Sequence, residues 1–291
     1  MPLFPGPIPG SDSKLLRSSD GCEIYAEATG DPRCPHVVLI HGLTFSGTVF
    51  DALCRAVLDK LYIVRYDLRG HGRSGKPETP EAHASKLYAD DFMAVVEGFG
   101  LKKPVLAGWS FGGTIVIDLA TYIAPLPISG VFYINSTSIT KKSGMPLMAT
   151  ILGLDAHLAT SARALQEMRA ACFLPDAPPR PYAARRAALG RVRDARAYLA
   201  ALEAGAVNVF VYYGARDALL DGTVLADEMK AGARNVEVEA VRDGCHAVFA
   251  QFPEETGRAL VRLTSAPFWE FGAVKNIDFI PQGRHEAQAY T

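Results

Sequence analysis

Apolar residues in this chain fall into short continuous runs set at regular intervals. Val37-Val38-Leu39-Ile40, Tyr62-Ile63-Val64-Arg65-Tyr66, Val105-Leu106-Ala107 and the runs at 128–134 and 207–213 are too short for independent helices and too apolar for strands with a wet face, and 236–241, with Glu237 and Glu239 among its valines, continues the series. They predict strands buried on both sides. Segments 48–58, 82–98 and 114–120 lie between them and predict helices, the last apolar nearly all round. Strand and helix in alternation imply parallel strands in a wound sheet, whose chemistry gathers at the carboxyl ends of the strands. The 22–28 stretch instead alternates, with Ile24 and Ala26 between Glu23, Tyr25 and Glu27, after an Asp20-Gly21 turn pair. It predicts the outer strand of a hairpin.

The rhythm breaks between 136 and 206. No strand pattern occurs there, Ala, Leu and Arg dominate, and a proline-rich stretch interrupts the span at 175–181. Several short helices forming an inserted cap are predicted. The chain thus divides into a discontinuous core, 11–135 and 207–265, a helical cap, 136–206, and a C-terminal extension, 266–291. The extension carries Phe268, Trp269, Phe271, Phe279 and Ile280. So apolar a segment is expected to pack on its own domain or on a second copy of the chain in a homo-oligomer. The first ten residues, with four prolines and two glycines, predict an extended arm.

Composition narrows the choice of partner. With 291 residues, 49% of them hydrophobic, the chain can bury a large core. Lysine and arginine number 30 against 31 acids. No net field therefore draws the chain to nucleic acid or to an anionic membrane, and a small, weakly charged molecule is the expected partner. Five scattered cysteines without C-x-x-C spacing suit a reducing compartment. The start does not read as a signal peptide and no run reaches transmembrane length, so a cytoplasmic location is expected. The Asn135-Ser136-Thr137 sequon then reads as coincidence.

Candidate chemistry centres on Gly108-Trp109-Ser110-Phe111-Gly112, a G-x-S-x-G pentapeptide between a predicted strand and a predicted helix. A chain turning that sharply holds its corner residue in strained backbone geometry, and the glycines clear the neighbouring space. Ser110 is lifted out of the sheet toward the positive end of a helix. A serine hydroxyl is a weak nucleophile and needs a base, which in turn needs an orienting acid. Asp217 sits just past the strand ending in Tyr213, and His246 follows Gly244-Cys245 in the loop after the last buried strand. Asp221 and Asp243 are rival acids, of which Asp221 is placed to begin the next helix. Acyl transfer also needs donors for a tetrahedral oxyanion. The backbone N–H of Phe111 is one, and Leu43, with Thr44 as second choice, supplies the other from the loop after His41-Gly42. His41 reads as a buttress of that loop. Phe45 and Trp109 are expected to line an apolar substrate pocket together with Met145, Met148, Leu152 and Leu158 of the cap.

A second glycine pattern points elsewhere. Gly70-His71-Gly72-Arg73-Ser74-Gly75 matches G-x-G-x-x-G, with Asp90 and Asp91 at a spacing suited to a ribose contact. Its context argues against dinucleotide binding: Lys76-Pro77-Glu78-Thr79-Pro80 follows where a helix should open, and the motif lies on the second unit of the sheet. There is no H-E-x-x-H and no clustered Cys/His spacing, so neither a metal nor another cofactor is expected.

Taken in order, five motifs resemble the α/β-hydrolase superfamily, in its serine-nucleophile branch with a helical cap. They are Leu39-Ile40-His41-Gly42, Asp67-Leu68-Arg69-Gly70-His71-Gly72-Arg73-Ser74, Gly108-Trp109-Ser110-Phe111-Gly112-Gly113, Gly214-Ala215-Arg216-Asp217 and Gly244-Cys245-His246. The chain order serine, aspartate, histidine is that of the superfamily. The resemblance spans roughly 22–264 and departs at the extension. It implies an α/β fold with a mostly parallel central sheet flanked by helices, an inserted cap, and a triad of Ser110, Asp217 and His246. The 67–74 segment becomes a structural turn. Ser110 stands where epoxide hydrolases and haloalkane dehalogenases of this fold have an aspartate. The Gly-Trp-Ser-Phe-Gly-Gly form is similar to that of small intracellular esterases and lactonases, including some that open acyl-homoserine lactones. The expectation is therefore hydrolysis of a carboxylic ester or lactone of a small, largely apolar molecule. The same triad can also act on a carbon-carbon bond, a thioester or a peracid, and the same fold can serve as a small-molecule receptor that moves its cap.

Overall fold

The computed structural model describes residues 8, 10–137 and 193–265, and the backbone of 276–279. Met145, Met148, Leu152 and Leu158 of the expected cap, and Phe268, Trp269, Phe271 and Ile280 of the extension, lie outside the described residues.

The strands are β1 (Asp12–Arg17), β2 (Glu23–Thr29), β3 (His36–Ile40), β4 (Tyr62–Tyr66), β5 (Val105–Trp109), β6 (Gly130–Ile134), β7 (Asn208–Gly214), β8 (Val236–Val241) and β9 (Asn276–Phe279). They form one nine-stranded sheet in the order β1-β2-β4-β3-β5-β6-β7-β8-β9. β2 runs antiparallel to both β1 and β4, and every other pair of neighbours is parallel. The central parallel strands are the most apolar ones, and every residue of β4, β5 and β6 is buried. Such strands leave no wet face, so helices must cover both sides. β8 alternates valine with Glu237 and Glu239, which pair with Arg262 of the last helix.

One group of helices is α1 (Asp51–Ala56), α6 (Val248–Gln251) and α7 (Pro253–Ser265), which pack together. In the other, α2 (Ser85–Gly98), α3 (Ile115–Tyr122) and α4 (Arg196–Glu203) pack in series, with α5 (Gly222–Gly232) beside α4. The sequence of α7 shows why it docks. Thr256, Gly257, Ala259, Leu260 and Leu263 fall on one helical stripe and are buried, whereas Glu254 and Arg258 are exposed. Although α4 falls within the 136–206 span, Tyr198 and Leu202 are fully buried and the Tyr198 hydroxyl lies 2.8 Å from that of Tyr133 on β6. From the extension, β9 continues the sheet in parallel beyond β8, with Asn276 opposite Val238.

The 67–74 segment is a pinned turn. Asp67 Oδ1 accepts the Gly47 N–H at 2.7 Å, its Oδ2 accepts the Arg73 N–H at 2.6 Å, and the Ser74 hydroxyl donates to its carbonyl at 2.5 Å. Arg69 is wholly buried, with its guanidinium on Asp91 at 2.7 and 2.6 Å and on Asp20 at 2.9 Å. Asp91, at the spacing of a ribose contact, is therefore occupied by Arg69. Asp91→Ala leaves that buried cation with the partly exposed Asp20 as its carboxylate partner, beside neutral acceptors such as the Ala82 carbonyl, and removing one partner of a buried pair costs about 3–5 kcal/mol. A loss of about 3 kcal/mol in urea unfolding is expected, and a loss under about 1 kcal/mol would show that the pair does not hold the turn.

Candidate active site

β3 and β5 lie side by side with Ile40 opposite Gly108, so the loops leaving their carboxyl ends meet. The winding of the sheet reverses here, because β4 lies on one side of β3 and β5 on the other. Sheets of this kind bind their ligands at that point. Ser110 takes φ +53°, in the left-handed region that residues with side chains rarely adopt. A tight 3-10 turn, Ser110–Thr114, then leads into α3. Glycine is what permits this corner: a Cβ on Gly108 would run into the backbone of Gly113, and one on Gly112 into the Ile40 carbonyl. The Ser136 hydroxyl, just past β6, donates to the Ser110 carbonyl at 2.9 Å and ties the corner down.

Asp217 and His246 come together from the loops after β7 and β8. His246 Nδ1 lies 2.7 Å from Asp217 Oδ2, and both side chains are buried. An ionised carboxylate only accepts, so Nδ1 carries the proton and Nε2 of the neutral ring is left as the acceptor. Oδ1 accepts the N–H groups of Leu219 at 2.7 Å and Leu220 at 3.1 Å, while Oδ2 also accepts from Asn135 Nδ2 at 2.7 Å. Burial pushes this carboxyl up, but His246, the Leu219 N–H and the Asn135 amide outweigh it and hold the group below its ordinary value. The rival acids lie elsewhere. Asp221 caps α5, accepting the Thr223 N–H at 3.0 Å, and Asp243 pairs with Arg216 at 3.5 Å. The two loops touch at Gly214 and Gly244, where a Cβ on Gly214 would overlap the Gly244 carbonyl, and the Arg216 N–H bonds that carbonyl at 2.9 Å.

Sequence reasoning missed Asn135. It follows β6 at φ +41°, is buried, and presents Nδ2 to Asp217 while its Oδ1 accepts the Gly214 N–H at 3.2 Å. A polar residue at the carboxyl end of a buried strand was the available signal, and the sequon reading obscured it.

The loop after β3 is fixed from below. The Leu68 N–H donates to His41 Nε2 at 3.0 Å, which leaves Nδ1 to donate to the Gly42 carbonyl at 2.7 Å. Gly42 backs onto the serine, since a Cβ there would stand 3.2 Å from Ser110 Cβ. Leu43 follows Gly42 and Phe111 follows Ser110, and both are buried, as is Thr44 at φ +73°. Phe45 is partly buried with its ring 4.8 Å from that of Trp109.

Trp109 does not take the pocket-lining place expected of it. Successive strand residues point to opposite faces, so a turn that lifts Ser110 out sends Trp109 in. It is fully buried, its ring 5.1 Å from Phe249, and its indole N–H donates to the His246 carbonyl at 2.9 Å. A cleft of about 430 Å³ opens beside Asp217, lined in part by Tyr213, Ala218, Leu219 and Leu220. Among the described residues no cluster of His, Cys, Asp and Glu is arranged to hold a metal, and no helix is long and apolar enough to cross a membrane.

Comparison with known proteins bears on the fold. A Mycobacterium tuberculosis protein named as a probable oxidoreductase, EphD, is 39% identical over 93 residues, which are 32% of this chain and 16% of that protein. The bifunctional esterase/perhydrolase DCH of Acinetobacter calcoaceticus is 34% identical over 113 residues, 38% of this chain and 39% of that one. The chain thus spans well under half the length of these curated relatives. Among solved structures, a Burkholderia cenocepacia protein assigned to the aryl esterases superposes with a TM-score of 0.74 at 26% identity, covering 86% of this chain and 97% of that one. The model of the alpha/beta hydrolase family matches residues 37–259, from the strand before the His41 loop to the helix after His246. With strands β4 to β8, the strained Ser110 turn and the joined Asp217 and His246 loops all inside that match, this chain belongs to the alpha/beta hydrolase family.

Proposed function

We propose that the chain is a serine hydrolase of carboxylic esters or lactones of small, largely apolar molecules. The observation that carries this reading is the buried 2.7 Å contact between Asp217 and His246, at the end of the sheet where Ser110 is held in its strained turn. His246 Nε2 takes the hydroxyl proton as Ser110 Oγ bonds to the substrate carbonyl carbon, and the carbonyl π electrons move onto oxygen. The backbone N–H groups of Leu43 and Phe111, with that of Thr44 as second choice for the first, receive this oxyanion. When it collapses, the alkoxide leaves with the proton from His246. Water then attacks the acyl-enzyme by the same route and frees the acid. Asp217 keeps the imidazole in the required tautomer throughout.

Phe45, on the loop that carries Leu43 and Thr44, favours a largely apolar substrate, and the inserted 136–206 span would select among such molecules. The likeness to an aryl esterase structure and to an esterase/perhydrolase supports ester chemistry. Free thiols at Cys22, Cys34, Cys54 and Cys245 suit a cytoplasmic setting. A second reading comes from the perhydrolase activity in the name of the Acinetobacter relative. In it, hydrogen peroxide replaces water at the acyl-enzyme, and a peracid leaves. The test is a panel of chromogenic short-chain esters and lactones, each offered with and without peroxide. Turnover of at least one ester or lactone is expected, and none across the panel would overturn the reading.

A further inference from the structure

We propose that Trp109 is a positioning residue for His246, acting through a hydrogen bond to the main chain of the base and not through contact with substrate. The proposal rests on the hydrolase reading above, because it assigns Trp109 to the machinery that keeps base and nucleophile in register.

His246 lies in a loop between β8 and α6, so side chains must hold it. Its ring is held by Asp217. The preceding residue is held by Gln251, whose Oε1 accepts the Cys245 N–H at 2.9 Å while its Nε2 donates to the Asp243 carbonyl at 3.0 Å. The main-chain carbonyl of His246 itself is held by Trp109 Nε1 at 2.9 Å. Trp109 immediately precedes Ser110, so this bond ties the loop of the base to the strand that ends at the nucleophile.

The indole is well placed to act as a fixed donor. It is wholly buried, with ring centroids of Phe45, Phe249 and His246 at 4.8, 5.1 and 5.3 Å. Gly42 closes the remaining side, since a Cβ there would stand 3.1 Å from Trp109 Cε3. A ring so confined cannot follow a drifting carbonyl, and the carbonyl is therefore kept at the ring. With Asp217 fixing the imidazole end and Trp109 the main-chain end, the arc open to Nε2 is narrow. Reaction between positioned groups is steep in such misplacements.

The decisive variant carries 3-benzothienylalanine at position 109, which keeps the bicyclic ring and replaces the N–H by sulfur. Trp109→Phe serves as an encoded companion. For the isostere, kcat on a chromogenic ester is expected to fall roughly three- to tenfold, the worth of one neutral hydrogen bond, with KM within about twofold. The downfield proton resonance of His246 Nδ1–H against Asp217 is expected to shift and broaden, with the thermal midpoint kept. An unchanged kcat together with an unchanged resonance would overturn the proposal and leave the indole as packing. If Trp109→Phe fails to fold, the isostere still decides. Should Ser110→Ala retain activity, the hydrolase reading fails, while the resonance recorded in the Ser110→Ala background still reports whether the indole holds His246.

Discussion

Asp217→Asn is expected to lower kcat by about ten-thousandfold, the size of effect seen when the orienting acid of a Ser-His-Asp protease is made an amide. The local geometry gives a reason specific to this site. Four donors converge on the carboxylate: the N–H groups of Leu219 and Leu220 on Oδ1, and Asn135 Nδ2 with His246 Nδ1 on Oδ2. An amide brings a fifth donor into a ring of donors. Turned one way, its NH2 faces the two backbone N–H groups. Turned the other way, it faces Asn135 and forces His246 to accept at Nδ1, which leaves the proton on Nε2, where the serine proton must go. Either arrangement leaves a buried donor unpaired, so a stability loss of about 1–3 kcal/mol should accompany the loss of activity. Asp221→Asn and Asp243→Asn touch only a helix cap and a surface ion pair, and their kcat should stay within a few-fold of the native value. Measuring kcat for the three amides separates the candidates, and a collapse at 221 or 243 in place of 217 would reassign the acid.

Ser110→Ala is expected to lower kcat on the order of a thousandfold or more while the protein keeps its fold. The corner is built by its backbone and neighbours. Gly108, Gly112 and Gly113 allow the close packing, and the Ser136 hydroxyl bonds the Ser110 carbonyl, which alanine retains. Circular dichroism and the thermal midpoint of the variant should therefore match the native protein as its esterase rate falls to the residual level. A properly folded variant with most of its activity would remove Ser110 from the mechanism.

Much of this was legible in the sequence because local pattern and global role coincide. The runs at 37–40 and 105–107 have no polar face to show to water, and they became buried parallel strands. The G-x-S-x-G turn is a backbone requirement written in glycines, and such requirements survive without knowledge of distant contacts. What stayed hidden depends on pairs far apart in the chain. Asn135 meets Asp217 across 82 residues, and nothing in its neighbours announces that meeting. Trp109 could have been placed by strand alternation, since Ser110 facing out implies its predecessor faces in. An aromatic beside a nucleophile invited the pocket reading instead. Composition marked the 136–206 span as helical but not the layer α4 joins, which Tyr198 settles by meeting Tyr133. β9 has four residues, two of them polar, too few for a period to show before β8 supplies its partner.

The central claim is that Ser110 becomes covalently acylated, and the direct measurement is the mass of the enzyme after reaction with a fluorophosphonate, followed by peptide mapping. One phosphonyl group per chain, located on the peptide carrying Ser110 and absent from Ser110→Ala, is the result expected. A phosphonyl group on any other residue, or no adduct on a native protein that turns over esters, would contradict it.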